Sequence, residues 1–352
     1  MDTHEGVEPE LSYLIDPHLM VSEKAAATLT KEMELMVFEL VKLRGAHFTL
    51  GAGSSGSKIC CTDVGRDLMR LVHKLESLCL DYDTSLHYEP NPFCNLILSG
   101  ARDYFSLYRT LSSSQFPVAL EEFARLGNDL VTGIVEGYDE LFLGDLRKKM
   151  QKVATQRRQG TISYINAQFN KYSKLLVVRL DLAYRKGYFL NRSDVFGDDL
   201  SKVKRDWQDL YIALNDGLVP ELSGHIVTIE YGVLTGFHLH VLLMFNGSMH
   251  SSDIVIAGII GRHWVKKTTA GKGRYYSCNR YPKKYKHLGI GMIQYHDRQL
   301  RFNLIWHVAK YLVKADTVIT SRCPGERTFF KGWTPSCEEN RGRPRSLSAS
   351  LT

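Results

Sequence analysis

Residues His225–Phe245 read HIVTIEYGVLTGFHLHVLLMF. Two branched apolar runs, His225–Glu230 and Phe237–Phe245, flank Tyr231–Gly236 (YGVLTG), whose two glycines suit a hairpin turn. On a strand, residues two apart share a side, so His238 and His240 project together while Leu239 and Val241 face the core. Two neutral imidazoles side by side are a ready pair of metal ligands. With 13 histidines in the chain, chance alone supplies about half such a pair, so the spacing needs support from its surroundings. Glu230 gives that support. It ends the first run, and a turn closing through Gly232–Gly236 returns His238 to its neighbourhood. A carboxylate facing two imidazoles leaves coordination positions for substrate and water, and suits Mn²⁺ or phosphate-assisted Mg²⁺ better than a closed structural zinc site.

Moving outward, Lys174–Leu182 (KLLVVRLDL) and Leu288–Tyr295 read as further strands. Asp198–Leu214 places Leu200, Val203, Trp207, Leu210 and Leu214 on one helical face, and Ser252–Gly261 and Arg301–Ala315 also read as helices. The order β-α-β-β-α-β-α predicts an α+β fold, an antiparallel sheet with helices packed on one face. In the last helix, positions 307, 311 and 314 share a face beside an apolar stripe of Leu304, Val308, Leu312 and Ala315. Tyr311 therefore stands at the edge between core and surface, one turn from Lys314. A phenol titrating near pH ~10 is a poor nucleophile at neutrality, and an adjacent ammonium and a bound phosphate both favour its ionised form.

Between the hairpin and that helix, Arg262–His287 carries nine Lys/Arg and no acid. Lys266, Lys267, Lys272, Arg274, Arg280, Lys283 and Lys284 alternate there with Trp264, Tyr275, Tyr276, Tyr281 and Tyr285, and Gly271 and Gly273 loosen the segment. Cations for phosphates and rings for unpaired bases predict contact with single-stranded or melted DNA, with Tyr275 and Tyr276 among the contacts. The other reading is a mobile basic loop whose aromatic rings pack back on the domain. Arg341–Arg345 (RGRPR) resembles an AT-hook core in what reads as a basic flexible tail, 336–352.

A strand, then glutamate, seven residues, and His-apolar-His, then a helix with Y-x-x-K, resembles the HUH endonucleases that initiate rolling-circle replication. The runs YFLNRSDVFGDDL and YLVKAD are similar to inovirus-type replication proteins and the YagK/YfjJ C-terminal domain of prophage elements. The resemblance covers residues 165–335 and implies a ferredoxin/RRM-like HUH core. It implies that Glu230, His238 and His240 hold Mn²⁺ or Mg²⁺ on the scissile phosphate. Tyr311 would attack that phosphorus, giving a 5′-phosphotyrosine and a free 3′-OH, while Lys314 would stabilise developing charge. Only one tyrosine occupies the Y-x-x-K position, so a two-tyrosine relay has no counterpart. Single-tyrosine transposases and relaxases share the core, although the nearest further histidine, His250, lies ten residues past His240. A non-catalytic DNA-binding regulator on the same fold is the remaining alternative, against which the intact site set speaks.

Charge divides the chain. Residues 1–160 hold 17 Lys+Arg against 23 Asp+Glu, whereas 161–352 hold 28 against 15. An acidic front and a basic back predict two domains, the second facing a polyanion. The front reads as helix, with Glu23–Leu43, Asp63–Leu80 and a long stretch from Val118 to Gln156 separated by a flexible break at Gly51–Ser57. The expected organisation is a helical accessory domain at 1–160, an endonuclease-like domain at 165–335, and the tail. A host helicase is a candidate partner for the acidic front. The start MDTHEGVEPE is no secretory signal, and apolar runs such as Leu239–Phe245 and Ile254–Ile260 fall far short of the ~18–20 residues that span a bilayer. Seven cysteines without a C-x-x-C fit reduced thiols. The expectation is a protein of the bacterial host cytoplasm with no membrane contact and no small-molecule cofactor.

Overall fold

The computed structural model describes residues 17–53, 56–82, 91–112, 120–189, 195–232 and 235–335. The tail 336–352, with Arg341–Arg345, lies outside the described residues, as do positions 190–194 of the YFLNRSDV run and 233–234 of the hairpin turn. The chain divides into two compact units, Val21–Lys149 and Met150–Thr352, the latter grouped with residues 1–20.

The first unit contains α1 (Pro17–Leu43), β1 (Phe48–Gly53), β2 (Gly56–Cys61), α2 (Asp63–Tyr82), α3 (Pro92–Ser112) and α4 (Leu120–Glu140), and ends in the first turns of α5 (Leu143–Lys171). Its core gathers Val37, Leu40, Leu68, Val72, Cys94, Ile97 and Ile134. Two expectations are corrected here. The described parts of the glycine-rich segment, 51–53 and 56–57, are not a flexible break but ends of two paired antiparallel strands, with Thr49 opposite Cys60 and Gly51 opposite Lys58. Backbone pairing needs no side chains, and Asn128 anchors the pair by accepting from the amides of His47 and Phe48 and donating to the Phe48 carbonyl. The predicted helix over 118–156 is two helices. Phe142 turns left-handed at φ 51°, and the turn drops Leu143 into the core.

The second unit is built on one antiparallel sheet. In chain order it comprises β3 (Lys174–Tyr184), α6 (Phe196–Ala213), β4 (Leu222–Gly232), β5 (Gly236–Asn246), α7 (Asp253–His263), β6 (Gly273–Ser277) and β7 (Gly291–Gln294). There follow α8 (Arg298–Asn303), a wide π turn at Leu304–Ala309, α9 (Lys310–Leu312), α10 (Thr317–Arg322) and β8 (Phe329–Lys331). The strand order is β6-β3-β5-β4-β8, with β7 pairing the early half of β3 and β6 its late half.

Every residue of β5 from Leu239 to Phe245 is buried, so both faces of the sheet are covered. On one face Val177, Ile226, Leu242 and Met244 meet Tyr164, Ile165 and Phe169 of α5 and Leu304, Val308 and Leu312 of the last helices. On the other, Trp207 of α6 packs on His225, Phe196 on Tyr231 and Phe237, and Trp264 beyond α7 on Tyr184. The expectation of helices on a single face is corrected accordingly: the runs in β3 and β5 are nearly continuous in apolar residues rather than alternating, as a doubly covered sheet demands. Among the described residues no helix is long and apolar enough to cross a membrane, and Cys60, Cys61, Cys94, Cys278 and Cys323 carry no disulfide.

His225, sealed between Trp207 and Tyr211, makes the unit acid-sensitive. Burial, helped by the Arg327 charge, lowers its pKa from 6.5 to about 4. An unfolded chain takes up this proton as pH falls through 6.5, whereas the folded chain refuses it until about 4. The contribution to stability is therefore full above 6.5 and declines by about 3 kcal/mol on acidification to pH 4. His225→Phe should flatten that part of the pH profile of the urea midpoint; a decline as steep as in the wild type would exclude His225 as its source.

Candidate functional site

Strand register assembles the predicted cluster. Glu230 on β4 is the direct cross-strand partner of His238 on β5, and His240 lies opposite Thr228 on β4 and Asp181 on β3. Paired residues and residues two apart share a face, so Asp181, Glu230, His238 and His240 converge on the sheet face that α5 and the last helices cover. One ligand atom each from Glu230, His238 and His240 lies within 4.8 Å of the others. Glu230 Oε2 stands 3.3 Å from His240 Nε2 and 3.9 Å from His238 Nε2.

The second nitrogen of each imidazole is already engaged. His238 Nδ1 lies 3.0 Å from the Gly236 carbonyl, which can only accept, so that nitrogen donates and leaves Nε2 with its lone pair. His240 Nδ1 lies 2.6 Å from Asp181 Oδ1. This carboxylate behind the histidine is the orienting partner commonly found behind metal-bound imidazoles. Glu230 Oε1 is buried with no hydrogen-bond partner, a costly arrangement unless a cation takes it up. Two Nε2 lone pairs and an unsatisfied carboxylate oxygen fit a divalent cation.

Two carboxylates beside His240 make the site a place for positive charge, which a proton on the ring or a cation can supply. Burial opposes charge on His240, yet Asp181 and Glu230 on either side outweigh it and push the ring up to about 10. Burial likewise opposes the carboxylates, but His240 above all holds both Asp181 and Glu230 below the usual range. Without a cation the site thus keeps a proton between two carboxylates. Arg179, two residues from Asp181 on the same face, is nearly buried, with Nη2 4.0 Å from Asp181. Burial alone would lower its pKa, but the Asp181 charge raises it. Cys278 Sγ lies 3.9 Å from the other Asp181 oxygen, and burial with that charge pushes the thiol up to about 12.

Tyr311 enters from the last helices. Its hydroxyl is 3.4 Å from His240 Nε2 and its ring 4.9 Å from the His240 ring. The Arg179 guanidinium stands 5.1 Å and the Lys314 ammonium 5.0 Å from the centre of the Tyr311 ring. Three fastenings seat this segment. Thr228 donates to the Leu312 carbonyl, Arg157 donates to the Lys314 carbonyl at 3.0 Å, and Asp316 accepts from the Tyr231 amide at 2.9 Å. Gly289 allows close approach at the other end, where a Cβ would meet the Leu304 backbone nitrogen at 2.4 Å. The π turn changes the helical phase expected from the sequence: His307 stacks on His287 at 3.8 Å rather than joining the site, and Lys314 lies past the end of α9 yet reaches the tyrosine.

The basic segment divides. Lys266, Lys267, Lys272, Arg280, Lys283 and Lys284 are exposed and Arg274 is half-buried. Tyr275 and Tyr276 are 4% and 3% exposed, which corrects their expected role as base contacts. Both belong to β6, paired with Leu182 and Asp181 of β3, and Trp264 is wholly buried. Cations standing between packed aromatics are what an edge strand produces, and the reading in which the rings pack back on the domain holds for these three.

Asp181 and Arg179 were not singled out from the sequence. Their signal was present in KLLVVRLDL, where two charged residues alternate with leucine in an otherwise apolar strand. A charge pair spaced by two in a buried strand needs a partner or a function.

No curated protein and no solved structure matches the chain. The YagK/YfjJ C-terminal domain family matches residues 142–329. The match takes in more than half of the sequence, from the start of α5 to β8, and encloses Asp181, the Glu-His-His cluster, Tyr311 and Lys314. The chain belongs to the YagK/YfjJ C-terminal domain family.

Proposed function

We propose that this protein is a metal-dependent DNA endonuclease and strand transferase of the HUH type, acting as a replication initiator of a phage or mobile element. One observation carries the reading: a tyrosine hydroxyl lies 3.4 Å from a ligand atom of a two-histidine, one-carboxylate cluster. A phenol that attacks a metal-held phosphodiester must stand at the edge of the metal donors, and Tyr311 stands there against His240. The antiparallel sheet with its central His-apolar-His strand is compatible with the ferredoxin/RRM-like core of that superfamily.

A divalent cation held by Glu230, His238 and His240, Mn²⁺ or Mg²⁺, would supply polarisation and charge neutralisation of the scissile phosphate. Tyr311 forms the new bond to phosphorus as the bond to the 3′ oxygen breaks. The phenol proton leaves to solvent, the 3′ oxygen takes up a proton, and the downstream strand stays attached as a 5′-phosphotyrosine. Arg179 and Lys314, each about 5 Å from the ring, offset the negative charge spread over the phosphoryl oxygens in the transition state. Asp181 fixes the His240 ring. The exposed lysines from Lys266 to Lys284 hold the DNA backbone.

The test is incubation of the purified chain with single-stranded oligonucleotides from its own element's origin region and Mn²⁺. The expected product is a protein–DNA adduct that survives SDS and disappears with EDTA. Bound DNA without any adduct across the origin region would refute the nicking activity.

A further inference from the structure

The helical stretch that carries Tyr311 turns Phe302, Trp306, His307, Lys310 and Tyr311 outward, while Arg301, Leu304, Ile305, Val308 and Ala309 are buried. Two of these outward residues are large apolar rings, Phe302 at 44% and Trp306 at 36% exposure. They form part of a continuous train. The Phe302 and Trp306 rings are 6.1 Å apart and tilted by only 32°; Phe302 meets the His307 ring at 5.8 Å; His307 stacks on His287 at 3.8 Å and 8°. Arg158 of α5 places its guanidinium 4.6 Å over Trp306. Lys286, beside His287, and Lys310, one turn beyond Trp306, are exposed.

The helical stretch is free of acids between Asp297 and Asp316, whose carboxylates are engaged in capping α8 and α10. Residues 298–315 and 150–180 contain no Asp or Glu. Rings with cations beside them offer what a single strand needs, ring faces for unpaired bases and positive charge for their phosphates. The buried Tyr275 and Tyr276 leave that task open. We propose that Phe302, Trp306, His287 and His307 are a stacking platform for a single DNA strand leading to Tyr311, with Arg158, Lys286 and Lys310 contacting its phosphates. The platform rests on the nicking activity only for where the strand leads. The platform shares the tyrosine's own helical stretch, so a strand held on it can run on toward the phosphate to be cut, and a duplex, whose bases are stacked on one another, cannot use it.

The experiment reads binding without chemistry. Fluorescence anisotropy in EDTA compares a labelled oligothymidylate, an oligouridylate and a mixed-sequence duplex on the wild type, Phe302→Ala/Trp306→Ala and Trp306→Phe. Stacking is worth ~1–3 kcal/mol per base, so the double variant should lose about 10- to 100-fold in affinity for oligothymidylate. Duplex affinity and melting temperature should stay unchanged, and Trp306→Phe should bind nearly as the wild type does. Unchanged oligothymidylate binding, an equal loss on the duplex, or a loss confined to oligouridylate overturns the platform. Platform binding with no Tyr311 adduct would sink the nicking activity alone; a normal adduct with unaffected binding in the double variant would sink the platform alone.

Discussion

Tyr311→Phe should leave DNA binding within about twofold of the wild type and lower adduct formation by at least about 10³-fold, since loss of a nucleophile removes the bond-forming atom itself. The substitution deletes one oxygen and little else. Tyr311 is 37% exposed, and its contact with His240 at 3.4 Å is a long one. The ring stays between the same neighbours and the fold should shift by no more than ~0.5 kcal/mol. Lys314→Ala offers the contrast. It keeps the phenol and removes one of two cations near the ring, so it should slow adduct formation by about 10- to 100-fold rather than abolish it. The check is the rate of SDS-stable adduct formation under single turnover, alongside binding by anisotropy. Adduct formation by Tyr311→Phe at the wild-type rate would reassign the nucleophile.

The hairpin and its cluster were legible because strand geometry is periodic. Once Gly232 and Gly236 fix the turn, the pairing of Glu230 with His238 follows from counting, and the register agrees. What counting along one hairpin cannot supply is the third strand. Asp181 reaches His240 only because β3 lies beside β5, a long-range pairing between residues 59 apart. The π turn was hidden for a different reason. It inserts at Leu304–Ala309 without any glycine or proline to mark it, so the helical wheel that grouped His307 with Tyr311 was wrong for His307. The aromatic rings after α7 misled because composition does not separate an edge strand from a loop: Arg274, Tyr275 and Tyr276 look like a nucleic-acid signal in the sequence, and the sheet turns the two tyrosines inward. The pairing of 48–53 with 56–61 leaves no side-chain pattern to read, and the residue that anchors it, Asn128, lies 80 residues away from Phe48.

The second large effect concerns the cluster itself. Mn²⁺ at about 100 times its dissociation constant should stabilise the wild type by about 2.7 kcal/mol, visible as a rise in melting temperature that EDTA reverses. His238→Ala is the cleaner way to remove that rise. Its ring is held by the Gly236 carbonyl and is no part of the buried pair with Asp181, so its loss leaves little unpaired. His240→Ala has two consequences at once. It removes a ligand and strands Asp181 and Glu230, two half-buried carboxylates that His240 holds ionised, so the fold should weaken by about 3 kcal/mol even without metal. Asp181→Asn separates orientation from ligation, since the amide can still approach His240 but no longer offers a charge. Outer-sphere losses of this kind cost ~10–100-fold in metal affinity, and the loss of a direct ligand in His238→Ala should exceed that. Calorimetric titration with Mn²⁺ should therefore order the proteins as wild type, Asp181→Asn, His238→Ala. A Mn²⁺-dependent rise in melting temperature that persists unchanged in His238→Ala would place any metal elsewhere and leave the unsatisfied Glu230 oxygen without its partner.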